Sequence, residues 1–243
     1  MATAKTTTFP WSACSRREAA RPRPKRKKKK QRQQKKRHQP NRTRPLRTNL
    51  RLIVGLGNPG PAYAATRHNI GVAFVRYLAS RFGISFAAAT KVKGEAGRGR
   101  IGEADVRLLL PGCYMNQSGE VVAPYARYYR VAPEEMLVAY DEVAFEPGVA
   151  RLKTGGGANG HNGIKSLIEH LGSRDFHRLR IGVGHPGEKA QMVRYLTAVN
   201  MPAEERERAV AAFELDDELL VALAEGKLQT VMNRLHGSSG QED

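Results

Sequence analysis

Cysteine is scarce in this sequence: only Cys14 and Cys113 occur in 243 residues, and they do not form a CxxC pair. A disulfide framework and a cysteine-based metal site are therefore excluded. No run approaches the roughly 18 consecutive apolar residues of a membrane-spanning helix. No apolar core follows the basic N-terminus, as a secretory signal requires. We therefore expect a soluble protein in a reducing, intracellular compartment.

Acidic residues are nearly missing from the first 50 residues. This segment holds 18 of the 41 lysines and arginines but only one of the 23 acids, Glu18. The remaining chain carries 23 basic and 22 acidic residues, so the net charge of +18 belongs almost wholly to the N-terminal segment. The rest of the chain is close to neutral, and any basic patch on it must be local.

Part of the N-terminal segment, residues 21–47, is also nearly empty of large apolar side chains. Residues 21–47 are rich in proline, glutamine and like charges, so they cannot bury enough apolar surface to become ordered. We predict a disordered extension at 1–48, a folded domain at 49–238 and a flexible end at 239–243. The extension is either an arm that contacts RNA or the ribosome, or a dispensable addition, and its acid-poor start also allows a transit peptide.

Beyond residue 50, short apolar runs alternate with helical patterns. Strands are expected at 52–54, 106–110, 136–140, 151–154 and 179–183, and helices at 67–82, 116–130, 163–171, 203–224 and 227–236. Thr66 is the expected N-cap of the first helix. This alternation predicts a single α/β domain with a mixed, mostly parallel sheet and helices on both faces. Ligands of such sheets bind at the carboxyl ends of the strands.

Residues 55–60 (GLGNPG) match the G-x-G-x-x-G pattern of dinucleotide-binding folds. The acidic residue that would bind the ribose is missing, since no acid occurs between Arg51 and Gly94. Arg76 or Arg81 could still serve a 2′-phosphorylated cofactor. We favour a tight turn that brings Asn58 into a cleft, and we expect no cofactor.

His68 lies in the first turn of a predicted helix, where the positive end of the helix dipole disfavours an imidazolium. A neutral histidine can accept a proton. Asn116, Asp141 and Asn162 occupy similar positions, at ends of strands or beginnings of helices. A histidine with an acid to orient it and amides to donate hydrogen bonds is a general-base and oxyanion set without an activated nucleophile, which predicts attack by water.

Other hydrolytic classes lack their motifs. No G-x-S-x-G elbow occurs, and Ser118 lies within a predicted helix, so a serine hydrolase is disfavoured. The histidines at 161, 170, 177 and 185 show no H-E-x-x-H pairing, so these residues predict no metal site.

Six blocks, taken in order, resemble the bacterial-type peptidyl-tRNA hydrolase family over residues 51–236. They are IVGLGNPG (53–60), YAATRHNIG (63–71), YMNQSG (114–119), the pair Asp141-Glu142, GHNGIK (160–165) and FHRLRIGVGHPG (176–187). The resemblance implies a mixed α/β sheet sandwiched by helices. It also implies hydrolysis, without a cofactor, of the ester that joins a peptide to the 3′ ribose of tRNA. We expect peptidyl-tRNA as the partner of a cytoplasmic monomer, or of an organellar one if the extension is a transit peptide.

The resemblance also implies roles for single residues. His68 would activate water, Asp141 would hold its ring in the useful tautomer, and Asn116 would stabilise the oxyanion. The implied binding residues are Asn58 and Asn162 for the peptide backbone, with His161 beside them, Met115 under the base, Tyr63 near the 3′ adenosine, and Lys153 and Arg180 at tRNA phosphates.

Three departures qualify the resemblance, and one of them, the basic N-terminal extension, keeps an alternative function open. Ala144-Phe145 replace an acidic residue that is usual in the family, and Ala158-Asn159 stand in the glycine turn before His161. The basic extension has no counterpart in compact members. A noncatalytic RNA-binding protein on the same fold, like the plant relatives that serve group II intron splicing, is the alternative function.

Overall fold

The structure of the protein is a computed structural model that describes residues 49–89 and 91–237. The strands are β1 (Leu52–Gly55), β2 (Ala87–Ala88), β3 (Gly94–Ile101), β4 (Ala104–Pro111), β5 (Met136–Glu142), β6 (Ala150–Thr154) and β7 (His177–Gly182). The helices are α1 (Ile70–Arg81), α2 (Ser118–Tyr128), α3 (Asn162–Leu171), α4 (Met192–Thr197), α5 (Ala203–Ala211), α6 (Asp217–Ala224) and α7 (Leu228–Gly237). The predicted extension at 1–48 and the predicted end at 239–243 lie outside the described residues.

One mixed sheet organises these elements, with the strand order β2-β3-β4-β1-β5-β7-β6. The four central strands pair in parallel, whereas β2 with β3, β3 with β4 and β6 with β7 pair antiparallel. β3 and β6 therefore run opposite to the other five strands. The predicted α/β class and mixed sheet are confirmed.

Side chains that alternate along β1 show that helices cover both faces of the sheet. Ile53 packs into a core formed with α1, α5, α6 and α7, while Leu52 and Val54 pack into a second core formed with α2 and α3. Every residue of β5 is buried, as expected for a parallel strand between two layers of helices. Among the described residues, no helix is both long enough and apolar enough to cross a bilayer.

The beginning of α1 lies very close to the sheet. A Cβ atom on Gly71 would lie 2.2 Å from the carbonyl oxygen of Ala139 in β5, and one on Gly55 would lie 2.5 Å from the carbonyl oxygen of Gly71. Neither backbone can move without disturbing the core, so both positions require glycine. This close approach brings the turn before α1, which contains His68, to the carboxyl ends of β1 and β5.

Some expected elements differ from those observed. The single helix predicted at 203–224 is wrong, because the Asp216 side chain accepts a hydrogen bond from the Leu219 amide and starts a new helix, α6, after α5. β2, β3 and α4 were not predicted. β3 has no apolar run because Ile84 packs on Gly97 and Gly99, where a Cβ atom would lie 2.8 and 2.6 Å from its side chain.

Replacing Gly71 by Ala should lower the free energy of unfolding by about 1 to 3 kcal/mol, because the added methyl group has to push α1 away from Ala139. Urea titration followed by circular dichroism measures this loss. Ser80→Ala, on the exposed side of the same helix, is the matched control and should change the value by less than about 0.5 kcal/mol. Equal stabilities of the two variants would contradict the close approach.

Candidate active site

Polar residues from several loops meet at the carboxyl ends of the parallel strands. Asp141 lies near the end of β5, His68 lies in a 3₁₀ turn (Arg67–Asn69) that leads into α1, and His161 is the N-cap of α3. Asn58 lies in the loop after β1, and Met115 opens a 3₁₀ turn after β4. This is the edge of the sheet at which the sequence predicts a ligand.

One buried carboxylate oxygen contacts two histidines. His68 Nδ1 lies 2.8 Å and His161 Nε2 lies 3.0 Å from Asp141 Oδ1, and the centroids of the two rings are 5.2 Å apart. Asp141 is 2 % exposed, and its Oδ2 atom is buried without a hydrogen-bond partner in the described part of the chain. A buried carboxylate is costly unless it is paired, so the two histidine N–H groups stabilise its charge.

Burial and charge oppose each other in this cluster. Burial alone would raise the pKa of Asp141, but His68 and His161 outweigh that effect and hold the pKa of the carboxyl well below its usual range. Burial alone would lower the pKa of His68, yet attraction to Asp141 and the hydrogen bond between them raise it above its ordinary value of 6.5. The sequence suggests that the helix dipole disfavours an imidazolium at His68, whereas in the structure the Asp141 carboxylate favours one.

The contacts of His161 fix its tautomer. Its Nδ1 accepts a hydrogen bond from the Ile164 amide at 3.3 Å and so caps α3. The ring proton therefore lies on Nε2, from which it is donated to Asp141. The sequence places His161 among the substrate-binding residues, whereas in the structure it is nearly buried and holds the carboxylate.

Asn58 is held from two sides. Its backbone N–H donates to Asn69 Oδ1 at 2.8 Å, and its backbone carbonyl accepts from Asn69 Nδ2 at 3.0 Å. Its own Oδ1 accepts from the Met115 amide at 2.8 Å, so its Nδ2 is the side-chain donor that remains. Met115 is buried and packs against α3, where a Cβ atom on Gly163 would lie 2.5 Å from its sulfur.

Asn116, Asn162 and Tyr63 lie closer to the surface. Asn116 follows Met115 in the same turn, Asn162 is the first residue of α3, and both are exposed. Tyr63 is half-buried, and its ring meets that of the exposed Tyr114 edge-on, with the centroids 6.3 Å apart. Exposed amides and aromatic rings at the same edge of the sheet as the buried His68 are suited to contact a bound molecule.

The two predicted phosphate contacts have different surroundings. Lys153 on β6 is exposed. Arg180 on β7 donates to Glu142 through Nε at 2.9 Å and Nη2 at 2.8 Å, and its guanidinium lies 4.4 Å from the centre of the Phe145 ring. In the register of the two strands, Lys153 faces Arg178. Lys153 is therefore the more available cation, since the charge of Arg180 is already balanced by Glu142.

Three residues around the site have no role in the sequence-based prediction. Asn69 holds Asn58, as described above. Arg178 is buried and donates to the carbonyl oxygens of Gly157 and Gly156 at 2.6 and 2.7 Å, which fixes the glycine turn before His161. Arg67 is buried against Glu205 and the ring of Tyr195. Of these three residues, only Asn69 could have been identified from the sequence, because it follows His68 directly.

Nuclear magnetic resonance of ¹⁵N-labelled histidines should show His68 titrating above 6.5 with its neutral proton on Nδ1, and His161 with its proton on Nε2. Asp141→Asn should lower the pKa of His68, because burial remains while the attraction is lost. Asp175→Asn, which neutralises an exposed acid elsewhere, is the control and should leave the pKa of His68 unchanged. A His68 pKa that does not fall in Asp141→Asn would contradict this electrostatic account.

Known proteins match this chain over most of its length. The family model described as Peptidyl-tRNA hydrolase matches residues 52–243. The chain is 46 % identical over 189 residues to the peptidyl-tRNA hydrolase of Acinetobacter baumannii (strain AYE), covering 78 % of this chain and 97 % of the relative. It is 49 % identical to that of Nitrosospira multiformis, covering 77 % and 97 %. A crystal structure of peptidyl-tRNA hydrolase from Acinetobacter baumannii matches with a TM-score of 0.74 at 45 % identity, covering 77 % of this chain and 94 % of that one. The chain therefore belongs to the peptidyl-tRNA hydrolase family.

Proposed function

We propose that the protein hydrolyses the ester between a peptide, or an N-blocked aminoacyl group, and the 3′ ribose of tRNA, with His68 as the general base. This reaction recycles tRNA from peptidyl-tRNAs released by ribosomes. The observation that carries the proposal is the pairing of His68 with the buried Asp141 beside exposed amides. The noncatalytic RNA-binding alternative has no support, because the family and the relatives described above are hydrolases.

His68 takes a proton from the attacking water. Its Nδ1–H donates to Asp141, so Nε2 carries the lone pair that accepts this proton. Asp141 orients the ring and stabilises the imidazolium that forms, as the buried aspartate of a hydrolase triad does. His161 keeps Asp141 in place through the second N–H. The water oxygen bonds to the ester carbon, and the proton held by His68 leaves with the 3′ oxygen of the ribose.

The amides around the base receive the acyl group. Asn116, exposed in the turn after β4, stabilises the negative charge that develops on the carbonyl oxygen. Asn58, through its remaining Nδ2 donor, and Asn162 bind the peptide backbone and order the water. Met115 packs against α3 and holds Asn58 through its backbone amide. Tyr63 contacts the 3′ adenosine. No step in this scheme uses a metal or a cofactor.

The tRNA backbone binds at β6 and β7. Lys153 is the main phosphate contact, and Arg180 supports it from its position beside Glu142. A single copy of the chain supplies all these groups, so the protein acts as a monomer, in the cytoplasm where peptidyl-tRNA arises. The basic residues at 1–48 add a salt-sensitive affinity for RNA or the ribosome.

Replacing His68 by Ala should slow hydrolysis by the 10²- to 10⁴-fold that is typical for loss of a general base, with little change in tRNA binding. The assay compares an N-acetylated aminoacyl-tRNA with the free aminoacyl-tRNA, and only the blocked form should be cleaved rapidly by the native protein. His170→Ala, a histidine of α3 outside the cluster, is the control and should retain activity. Rapid cleavage by His68→Ala would refute the mechanism.

Removing Lys153 should weaken binding of intact peptidyl-tRNA and flatten the slope of log affinity against log salt by roughly 0.7 to 0.9, because one phosphate contact is lost. A minimal substrate that ends at the 3′ adenosine should be cleaved almost normally. Arg180→Ala should weaken binding in the same way. It should also lower the thermal stability of the protein, because the Glu142 carboxylate loses its partner. The measurements are best made without residues 1–48, whose cations could mask the change. Equal slowing of both substrates by Lys153→Ala would exclude a phosphate contact.

A further inference from the structure

We infer that Asn69 is a positioning residue that fixes Asn58 in place for the acyl group, an inference that rests on the proposed function of Asn58. Asn69 follows His68 directly, in the same 3₁₀ turn. Its carboxamide therefore connects the turn that carries the base to the loop that carries the peptide-binding amide.

The contact between the two asparagines is bidentate. Asn69 Oδ1 accepts from the backbone N–H of Asn58 at 2.8 Å, and Asn69 Nδ2 donates to the backbone carbonyl of the same residue at 3.0 Å. Two antiparallel hydrogen bonds to one residue fix its orientation as well as its position. They also fix the orientation of the carboxamide, since a flipped amide would place donor against donor and acceptor against acceptor.

A purely local role does not explain this geometry. Asparagine is a favoured N-cap residue, and Asn69 stands at the N-cap position of α1, but its side chain makes no capping hydrogen bond there. It is 8 % exposed and directed instead at the loop. Gly57 allows this approach, because a Cβ atom at that position would lie 2.9 Å from Asn69 Oδ1.

The loop needs this support because one side of it is open. Residues 57–61 line an open cavity of about 480 Å³, together with Asn69 and Arg76. Both asparagines are part of its lining, whereas His68 and Asp141 are not. On its other side Asn58 has a single side-chain contact, from the Met115 amide. Loss of Asn69 therefore leaves the loop free to move into the cavity.

The test is a double-mutant cycle on cleavage of an N-acetylated aminoacyl-tRNA by the full chain. Asn69→Ala should lower kcat/KM by about 10- to 100-fold, the size of effect expected when a reacting group is misplaced by an ångström. The double variant Asn58→Ala/Asn69→Ala should be no slower than Asn58→Ala, because Asn69 acts only through Asn58. The acid limb of the pH profile should not move, since the His68–Asp141 pair is intact.

Two further variants separate positioning from folding. Tyr77→Phe removes a hydrogen bond from α1, the helix that follows Asn69, to the Leu215 carbonyl outside the site, and should retain activity close to that of the native protein. Asn69→Asp keeps the acceptor for the Asn58 amide but sets a carboxylate oxygen against the Asn58 carbonyl, so its activity should also fall well below that of the native protein. This variant also serves if the alanine variant fails to fold.

Three results would overturn the inference: losses that multiply in the double variant, an acid limb that shifts in Asn69→Ala, or native activity in both Asn69 variants. Native activity of Asn58→Ala would overturn it as well, together with the part that Asn58 plays in the proposed function. The activity of His68→Ala tests the rest of the proposed function separately, because the role of His68 as the base does not depend on either asparagine.

Discussion

The chemistry of this site depends on keeping one carboxylate charged in the interior. Asp141 is almost completely buried, and a charge there is tolerated only because two ring N–H groups point at the same oxygen. This requirement dictates the tautomers of His68 and His161, and through them which nitrogen of His68 can accept a proton. The orientation of the His68 ring and the contact of His161 at the start of α3 are thus tied to one buried charge.

That arrangement requires a rigid scaffold, and glycine contacts supply it. Gly55 and Gly71 let α1 touch the backbone of β5, so the turn with His68 cannot move independently of the strand with Asp141. Gly163 likewise lets the Met115 side chain pack against α3, because a Cβ atom there would clash with the Met115 sulfur. Because Gly55 and Gly71 meet backbone atoms, their contacts hold distances between elements more firmly than flexible side chains do.

The sequence predicts the parts of the fold that follow a regular pattern. The central strands and the helices next to the site have buried faces of clear periodicity, and the polar residues at their ends could be placed for that reason. β3 could not be predicted, because its glycines are required by contacts with Ile84, which lies on another segment. The break before α6 could not be predicted either, because it depends on a single capping residue, Asp216. Asn69 and Arg178 were missed for a similar reason, since each acts on the backbone of a distant loop.

Three arginines near the site make their hydrogen bonds within the protein, which limits how this part of the surface can hold tRNA. Arg67 and Arg180 are paired with Glu205 and Glu142, and Arg178 is bound to backbone carbonyls under the glycine turn. Such guanidinium groups make hydrogen bonds within the protein at the expense of phosphate contacts. With the domain close to neutral, the proposed function assigns the attraction to the tRNA backbone to exposed cations such as Lys153. In that proposal, selectivity for the substrate arises mainly where the ester and the peptide would meet the asparagines and His68.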